Sequence, residues 1–566
     1  MSSLDTYPQS PEPGAEASLL RPGLVSGGRK LAVAAMAIAA LVAVPIVAVG
    51  LLAFADTGEI WPELAGTVLP LYIKNTLMLM AGVGILTFGL GVGAAWCVAM
   101  FDFPGRKWFD WALLMPLAMP AYVVAYAYTD FLDYSGPVQT GLRALFGDGI
   151  SVPEIRSLGG AIFVMGLVLY PYVYMSARAA FLAQTRGQLE VARTLGASPW
   201  AVFWRIGLPM ARPAIAVGLA LALMECLNDF GTVDFFAVRT LAAGLYDVWL
   251  SMGSLGGAAQ IALSMLGFVV LLITIERLGR KGQHFHSLGG KSDPPVRHRL
   301  AGAKGLAVSA LMVLPILFGL LIPAGVLIDL SFQTGTGGRV TSFFTSAGHS
   351  FSLAAMAAVS TIGLGLILVY GVRLAGRGPV ARAARAAGRL ASLGYAIPGA
   401  VLAVGLLVPL GALDGLFNRV ADALGAGSLG AVLSGTLFAL VAAYTVRFMA
   451  LAHGAVETGL DRVTPHMDMA ARTLGAGTLG VLIRVHLPLI RGSLMTGAVL
   501  VFVDCMKELP ATLLLRPFNY ETLATLTYTY ASLEQLEDAA GPALAIAAFG
   551  LIPVIVMSRQ MIRDRR

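Results

Sequence analysis

Four carboxyl side chains lie inside long apolar stretches, in two pairs with the same spacing. Glu225 and Asp229 occur in MECLNDFGTVDFF, and Asp504 and Glu508 occur in VDCMKELPAT; both residues of the second pair follow their counterparts by 279 positions. Ionisable groups are costly inside a bilayer and usually have a function there. Clustered carboxylates favour a hard cation, which prefers oxygen ligands. We therefore expect these four residues to line a translocation pathway and to bind a metal ion transiently.

Internal ion pairing is the alternative role for these carboxylates. Lys507 is close enough in sequence to pair with Asp504 or Glu508. Arg239 and Arg516, near the predicted outer surface, are further possible partners. In that case the carboxylates would have a structural role and would not contact a solute.

The four-residue spacing of Glu225 and Asp229 predicts that both lie on one face of the same helix. Tyr170, Tyr172 and Tyr174 in the preceding apolar segment would add phenolic oxygens to such a site. Tyrosines in membrane segments more often pack or anchor at the interface, so this contribution is the weaker expectation.

The composition is that of a membrane protein. The 566 residues are 57% hydrophobic and 13% charged, and the mean hydropathy is +0.78. These values exclude an ordinary soluble globular domain. The net charge of +7 does not indicate nucleic-acid binding, because the basic residues lie in loops between apolar spans. The cysteines Cys97, Cys226 and Cys505 also lie in apolar spans, which argues against a disulfide framework.

About 20 apolar residues span a bilayer, and this length predicts an all-α polytopic protein with about twelve transmembrane helices. The first half has predicted helices near 31–55, 77–101, 110–132, 159–181, 213–236 and 257–276. The second half has a matching set near 305–329, 352–374, 388–411, 427–451, 492–515 and 538–558. An even number of helices in each half makes the repeat parallel.

The predicted domains are two six-helix halves, 31–276 and 305–558, with repeated cores near 71–276 and 350–557. Residues 1–30 are predicted to be a disordered tail, 277–304 a basic linker and 559–566 a second tail. The loops assigned to the cytosol carry most of the basic residues, which places both termini in the cytosol. These basic residues include Arg106, Lys107, Arg277, Arg280, Lys281, Arg373, Arg377, Arg382, Arg385 and Arg389.

A polar cassette recurs between the spans at the same offset of 279. Residues 190–209 read EVARTLGASPWAVFWRIGLP, and residues 469–488 read MAARTLGAGTLGVLIRVHLP. Glycine in each copy permits a backbone turn. Pro209 and Pro488 are each expected to begin a new helix after an extended residue. A duplicated cassette predicts two equivalent cytosolic docking points.

This cassette resembles the Glu-Ala-Ala signature of the permease subunits of binding-protein-dependent ABC importers. The copies depart from the signature at Val191, in place of the first Ala, and at Met469, in place of the Glu, with Asp468 just before it. The resemblance implies a type I importer permease fold and a set of residues that couple it to an ATPase. In this sequence they are Glu190, Ala192, Arg193, Gly196, Leu208 and Pro209 in the first copy, and Ala471, Arg472, Gly475, Leu487 and Pro488 in the second.

The resemblance also implies the partners. Two copies of a separate cytosolic ATPase would dock on the cassettes, and an extracytoplasmic binding protein would deliver the solute at the other side of a bacterial inner membrane. The chain shows no phosphate-binding loop: Gly289-Gly290-Lys291-Ser292 lacks the first glycine, with Phe285 in its place. We therefore expect no enzymatic activity and no cofactor on this chain, with ATP and Mg bound by the partner.

Within this class the chain is most similar to the ferric-iron permeases. The similar stretches include LMECLNDFGTVDFF, LLMPLAMPAYVVAYAYTDFL and its counterpart LGYAIPGAVLAVGLL, in which Pro120 and Pro398 break the third helix of each half. Thiamine, polyamine, phosphonate and sulfate permeases share the cassettes and remain alternatives. An ion-driven secondary carrier is a further alternative, although it would not need the duplicated cassette.

Overall fold

The structure is a computed structural model that describes residues 23–58, 60–148, 153–184, 196, 198–280, 297–333, 339–376 and 378–563. Within these residues the chain is almost entirely helical. The helices of the first half are α1 Gly23–Leu52, α2 Ile60–Gly66, α3 Leu69–Met100, α4 Arg106–Ala112, α5 Ala121–Leu132, α6 Pro137–Phe146, α7 Leu158–Ala183, α8 Pro199–Val202, α9 Leu208–Asn228, α10 Gly231–Phe235, α11 Leu241–Tyr246 and α12 Leu255–Arg280. Those of the second half are α13 Gly302–Ile316, α14 Ile322–Gln333, α15 Arg339–Leu374, α16 Pro379–Ala391, α17 Gly399–Ala423, α18 Leu437–Leu460, α19 Pro465–Thr473, α20 Thr478–Val481, α21 Leu487–Met506, α22 Pro510–Leu515, α23 Leu523–Ser532 and α24 Leu536–Arg563.

Short irregular turns interrupt or join these helices. Tight 3₁₀ turns span Met115–Ala118 and Gly394–Ala396, and wide π-turns span Phe203–Gly207, Asp247–Ser251, Leu317–Leu321 and Leu482–His486. Two of the π-turns occupy equivalent positions in the two copies of the cassette. The repeat therefore extends to local irregularities of the backbone.

The two short strands, β1 Phe101–Asp102 and β2 His298–Arg299, pair in parallel. The backbone amide of Leu300 continues the pairing by donating to the carbonyl of Asp102 over 2.8 Å. This contact fixes the end of the predicted linker to a loop of the first half. The central part of that linker, 281–296, lies outside the described residues.

The membrane spans agree with the sequence prediction in number. Among the described residues, 11 helices are long and apolar enough to cross a bilayer, or 12 if the bent pair Arg106–Ala118 and Ala121–Phe146 forms one span. The prediction of a single helix at 110–132 was wrong, because this region consists of two parts that meet at 88°. Pro120 causes the break: it caps α5 with an extended backbone, and Pro398 does the same for α17.

The cassette prolines do not follow an extended residue, which corrects the sequence prediction. The residues before them, Leu208 and Leu487, are helical, with φ −65° and ψ −47°, and φ −55° and ψ −45°. A proline in the first turn needs no backbone donor, so the helix can run through it. The spans Trp200–Asn228 and Thr478–Met506 are therefore continuous from the cassette into the membrane.

The first helix of each half packs against the opposite half, which the division into two separate six-helix units did not predict. The helix α1 contacts α15, α16 and α17 of the second half, while α14 contacts α5 of the first half. A side chain at Gly405 of α17 would come within 2.2 Å of the carbonyl oxygen of Pro45 in α1, so only glycine allows this approach. The helix α1 also begins at Gly23 rather than Leu31, and the rest of the predicted tail, 1–22, lies outside the described residues.

Candidate functional site

A cavity lies between the two halves and encloses about 790 Å³, counting space that is open to solvent. All four carboxylates predicted from the sequence line it. The first half contributes the polar residues Tyr122, Tyr172, Glu225, Asn228 and Asp229, and the second half contributes Tyr395, Arg447, Asp504, Lys507 and Glu508. The structure thus brings together four residues whose equivalence the repeat had suggested.

The carboxylates do not lie in pairs on one helical face, and this corrects the sequence prediction. Glu225 is in the last turn of α9, but that helix ends at Asn228, and Asp229 follows it with an extended backbone. Likewise Asp504 is in α21, which ends at Met506, and Glu508 lies beyond its end. Each pair therefore consists of one helical residue and one residue of the loop that follows.

Asp229 and Glu508 have the same structural task in the two halves. The carboxylate of Asp229 accepts a hydrogen bond from the backbone amide of Thr232 over 2.8 Å. Glu508 accepts from the amides of Ala511 and Thr512, each over 3.2 Å, and from the hydroxyl of Thr512 over 3.0 Å. Both side chains thereby satisfy backbone donors at the start of the short helices α10 and α22.

Replacing Asp229 by alanine is expected to destabilise the protein by about 1 kcal/mol, because the cap of α10 is lost. Asp229→Asn keeps an acceptor oxygen and should be nearly neutral. The midpoint of thermal unfolding in detergent would be compared for the two variants. Equal midpoints for the alanine and asparagine variants would contradict a capping role.

Two cations share the cavity with the carboxylates. The ammonium group of Lys507 lies 2.9 Å from Asp504, as the pairing alternative predicted. The guanidinium group of Arg447 lies 3.5 Å from Glu508, with side chains only 6% and 2% exposed, and it also donates to the amide oxygen of Asn228 over 3.0 Å. The bond from Arg447 to Asn228 joins the two halves.

The sequence reasoning missed Arg447. It lies within the apolar run LVAAYTVRFMALA of the predicted span 427–451. Ionisable groups inside a membrane span usually have a function. This principle drew attention to the acidic residues, and it applies equally to Arg447. The predicted outer partner Arg516 pairs with Glu521 instead of with a cavity carboxylate.

Glu225 differs from the other three carboxylates. Among the described residues it forms no hydrogen bond and no ion pair, although it lies half-buried in the cavity wall. Four carboxylates face two cations here, so the cavity carries a formal surplus of two negative charges when all six groups are ionised. Glu225 is therefore the carboxylate most available to a solute.

Of the three tyrosines predicted to contribute phenolic oxygens to the site, two have packing roles and one lines the cavity. Tyr170 and Tyr174 donate to the backbone carbonyls of Leu113 and Asp110 over 2.7 and 3.0 Å, which are packing roles. Tyr172 lines the cavity and its hydroxyl lies 3.4 Å from that of Tyr395 across the interface. Tyr122 also lines the cavity, with a buried hydroxyl for which the described residues supply no hydrogen-bond partner.

The structure shows no preformed metal centre within the residues it describes, since no three side chains from His, Cys, Asp and Glu are grouped closely enough to hold an ion. Metal binding by Glu225, Asp229, Asp504 and Glu508 therefore stays a prediction. Two of these carboxylates already serve as helix caps and Asp504 pairs with Lys507, which leaves Glu225 as the one of the four without a hydrogen bond or ion pair in the described part of the chain.

The second copy of the cassette is fully described. Ala471 and Arg472 lie in α19, and Gly475 follows with φ 84°, a left-handed conformation that glycine adopts without strain. Met469 on this helix and Leu474 just after it are 54% and 88% exposed. Leu487 and Pro488 begin α21, so the exposed helix leads through a turn directly into a membrane span.

The first copy is described only in part. Glu190, Ala192 and Arg193 lie outside the described residues. Gly196 has φ 82°, matching Gly475, and Leu208 and Pro209 begin α9 as their counterparts begin α21. The roles of both sets of residues in coupling to an ATPase stay predictions.

Comparison with known proteins identifies the family. Residues 85–281 and 367–562 both match the family described as "Binding-protein-dependent transport system inner membrane component". The "Fe(3+)-transport system permease protein FbpB 2" of Haemophilus influenzae is 24% identical over 86% of this chain and 89% of its own length.

Two shorter relatives match part of the chain. The "Molybdenum transport system permease protein ModB" of Escherichia coli K12 is 30% identical over 39% of this chain and 98% of its own length. The "Probable sulfate transport system permease protein cysT" of Chlorokybus atmophyticus is 28% identical over 38% of this chain and 74% of its own. The repeated family match and the cavity shared by two repeated halves agree: the chain belongs to the family of inner membrane components of binding-protein-dependent transport systems, and it contains both halves of the permease.

Proposed function

We propose that this chain is the permease through which an ATP-driven importer takes up ferric iron. The observation that carries the proposal is the cavity between the halves, in which Glu225 forms no hydrogen bond or ion pair with the described residues and the carboxylates outnumber the cations. The full-length similarity to an Fe(3+)-transport permease supports the same solute. Ferric iron is a hard cation that oxygen ligands bind well.

The charges in the cavity favour a cation over an anion. An anionic solute such as sulfate would need free cations or helix N-termini in the pathway. Here Arg447 and Lys507 are each engaged by a carboxylate. Thiamine or a polyamine would also suit an acidic cavity, whereas a phosphonate or sulfate suits it less well.

The chain works with two kinds of partner in this proposal. Two copies of a cytosolic ATPase dock on the two cassettes and bind ATP and Mg, while this chain binds no cofactor and hydrolyses nothing. A binding protein delivers the solute at the opposite side of the inner membrane. Both termini then lie in the cytosol, as the basic loops indicate.

Transport requires the two halves to open alternately to each side of the membrane. At the end of the cavity away from the cassettes, Tyr528 donates to the carboxylate of Asp234 over 2.7 Å, and Arg156 lies 3.5 Å from Glu534. Each contact joins one half to the other. In our proposal these contacts break when the binding protein releases iron, and ATP binding draws the cassettes together to drive the change.

The test is uptake of ferric iron into vesicles that contain this chain, its ATPase and the binding protein. We expect uptake that requires both ATP and the binding protein and that excess thiamine, polyamine or sulfate does not reduce. Uptake of one of those solutes in place of iron would overturn the choice of solute. Uptake without an ATPase would overturn the importer mechanism.

The turn at Gly475 gives a prediction for the docking of the ATPase. Gly475→Val forces a β-branched residue into a left-handed conformation, which costs roughly 1–2 kcal/mol, and should reorient α19. We expect a lower stoichiometry of co-purified ATPase, measured by quantitative gel analysis. Gly477→Val is the matched control, because Gly477 has φ −71° and open space around it. Equal loss in both variants would show that the turn is not the cause.

A further inference from the structure

The second cassette contains a charged contact between residues that are uncharged at the equivalent positions of the first cassette. Asp468, in the first turn of α19, lies 2.5 Å from the ring of His486, at the end of the π-turn before α21. Arg373, at the end of α15, lies 3.4 Å from the other carboxylate oxygen of Asp468. We refer to these three residues as the Asp468 clamp.

The clamp joins four separate elements. Besides Asp468, Arg373 donates to the backbone carbonyls of Leu460 and Val463, over 2.7 and 3.1 Å, where α18 ends. His486 is 1% exposed and packs edge-on against Tyr370 of α15. One carboxylate therefore ties the short exposed helix α19 to spans α15, α18 and α21. Hydrogen bonds that involve charged groups at such low exposure are stronger than those on the surface.

The sequence of the first half lacks the charged groups of this contact. The positions 279 residues before Asp468 and His486 are Leu189 and Gly207, and neither residue carries a charge. There Trp96 fills the space, and a side chain at Gly207 would come within 2.6 Å of its ring. An aromatic ring of α3 or α15 thus packs at this place in both halves, and the second half adds the contact of His486 with Asp468.

We propose that Asp468 is a positioning residue that fixes the second ATPase-docking helix to the spans of the second half, and so transmits the movement of the ATPase to them. This inference rests on the proposed function, since it assigns Asp468 a role in coupling. It also accounts for Met469, which stands where the signature has Glu: the acidic group is displaced by one residue and points into the protein, toward His486 and Arg373.

The first experiment measures the anchoring directly and needs no ATPase. A nitroxide label at Leu474→Cys, an exposed position at the end of α19, reports the mobility of the helix by electron paramagnetic resonance. Asp468→Asn should mobilise the label. The matched control is Asp461→Asn, which removes an exposed carboxylate that has no side-chain contact among the described residues. Equal label mobility in the two variants would show that Asp468 does not anchor α19.

The second experiment measures coupling in the assembled transporter without the label. We expect Asp468→Asn to keep both ATPase copies bound but to transport at least about threefold less solute per ATP hydrolysed. His486→Gln retains an amide donor to Asp468 and should fall between wild type and Asp468→Asn, so the proposal does not depend on one variant folding. If Asp468→Asn mobilises the label but leaves the amount of solute transported per ATP unchanged, Asp468 has no role in coupling. If no ATPase binds the wild-type protein, the proposed function is wrong. The mobility of the label would still show whether the Asp468 clamp anchors α19.

Discussion

Glu225→Gln is expected to reduce ferric iron uptake at least about tenfold while the assembled transporter continues to hydrolyse ATP. Glu225 lines the cavity without a hydrogen bond or ion pair in the described part of the protein. Its negative charge is thus available to a passing cation, and the amide removes that charge while preserving size and shape. Because the side chain forms no hydrogen bond or ion pair with the described residues, we expect a loss of stability much smaller than the loss of uptake.

Two other carboxylates provide matched controls for Glu225. Asp504→Asn removes the same charge at the repeat-equivalent position, but there the carboxylate already pairs with Lys507. Asp229→Asn retains an acceptor for the cap of α10. Initial uptake rates at several iron concentrations should show a larger loss for Glu225→Gln than for either control. If all three variants lose uptake equally, the cavity acts through its total charge, and the special role of Glu225 is wrong.

Arg447→Met should be the most destabilising of the substitutions considered, by about 3–5 kcal/mol. It leaves Glu508, whose side chain is 2% exposed, as a buried charge without its cation, and it removes the bond to Asn228 across the interface. The measurement is the temperature at which half of the purified protein is lost from the monodisperse peak in size-exclusion chromatography.

A double mutant measures how much the ion pair between Arg447 and Glu508 contributes to stability. Glu508→Gln removes the uncompensated charge and keeps acceptors for the amides of Ala511 and Thr512. The double variant Arg447→Met with Glu508→Gln should therefore recover much of the stability lost in Arg447→Met alone. Additive losses in the double variant would show that the two side chains do not act as a pair.

The span count and the cavity carboxylates were predictable because each depends on a local property of the sequence. Apolar length identifies a membrane helix with little reference to its neighbours. The constant offset of 279 indicated that Glu225 and Asp504, and Asp229 and Glu508, would occupy equivalent places. In the structure all four residues line one cavity, and their role in solute passage stays a prediction.

The features that the sequence did not predict depend on where the chain leaves a helix. Spacing alone placed Asp229 on the same face as Glu225, but the helix ends at Asn228 because the side chain of Asp229 caps the helix that follows. Spacing likewise gave no sign that Asp468 would reach His486, since that contact needs the π-turn before α21. Capping and turn contacts of this kind compete with a simple helical period.

The exchanged first helices have a consequence for biosynthesis. The helix α1 ends at Leu52, and the first of its partners in the second half, α15, begins at Arg339. The ribosome must add the intervening chain before the two can meet, which takes roughly 15–60 s at typical elongation rates. During that time α1 lies in the bilayer with much of its eventual contact surface facing lipid. Because both halves belong to one chain, its partner arrives tethered rather than by diffusion, and the effective concentration for pairing is high.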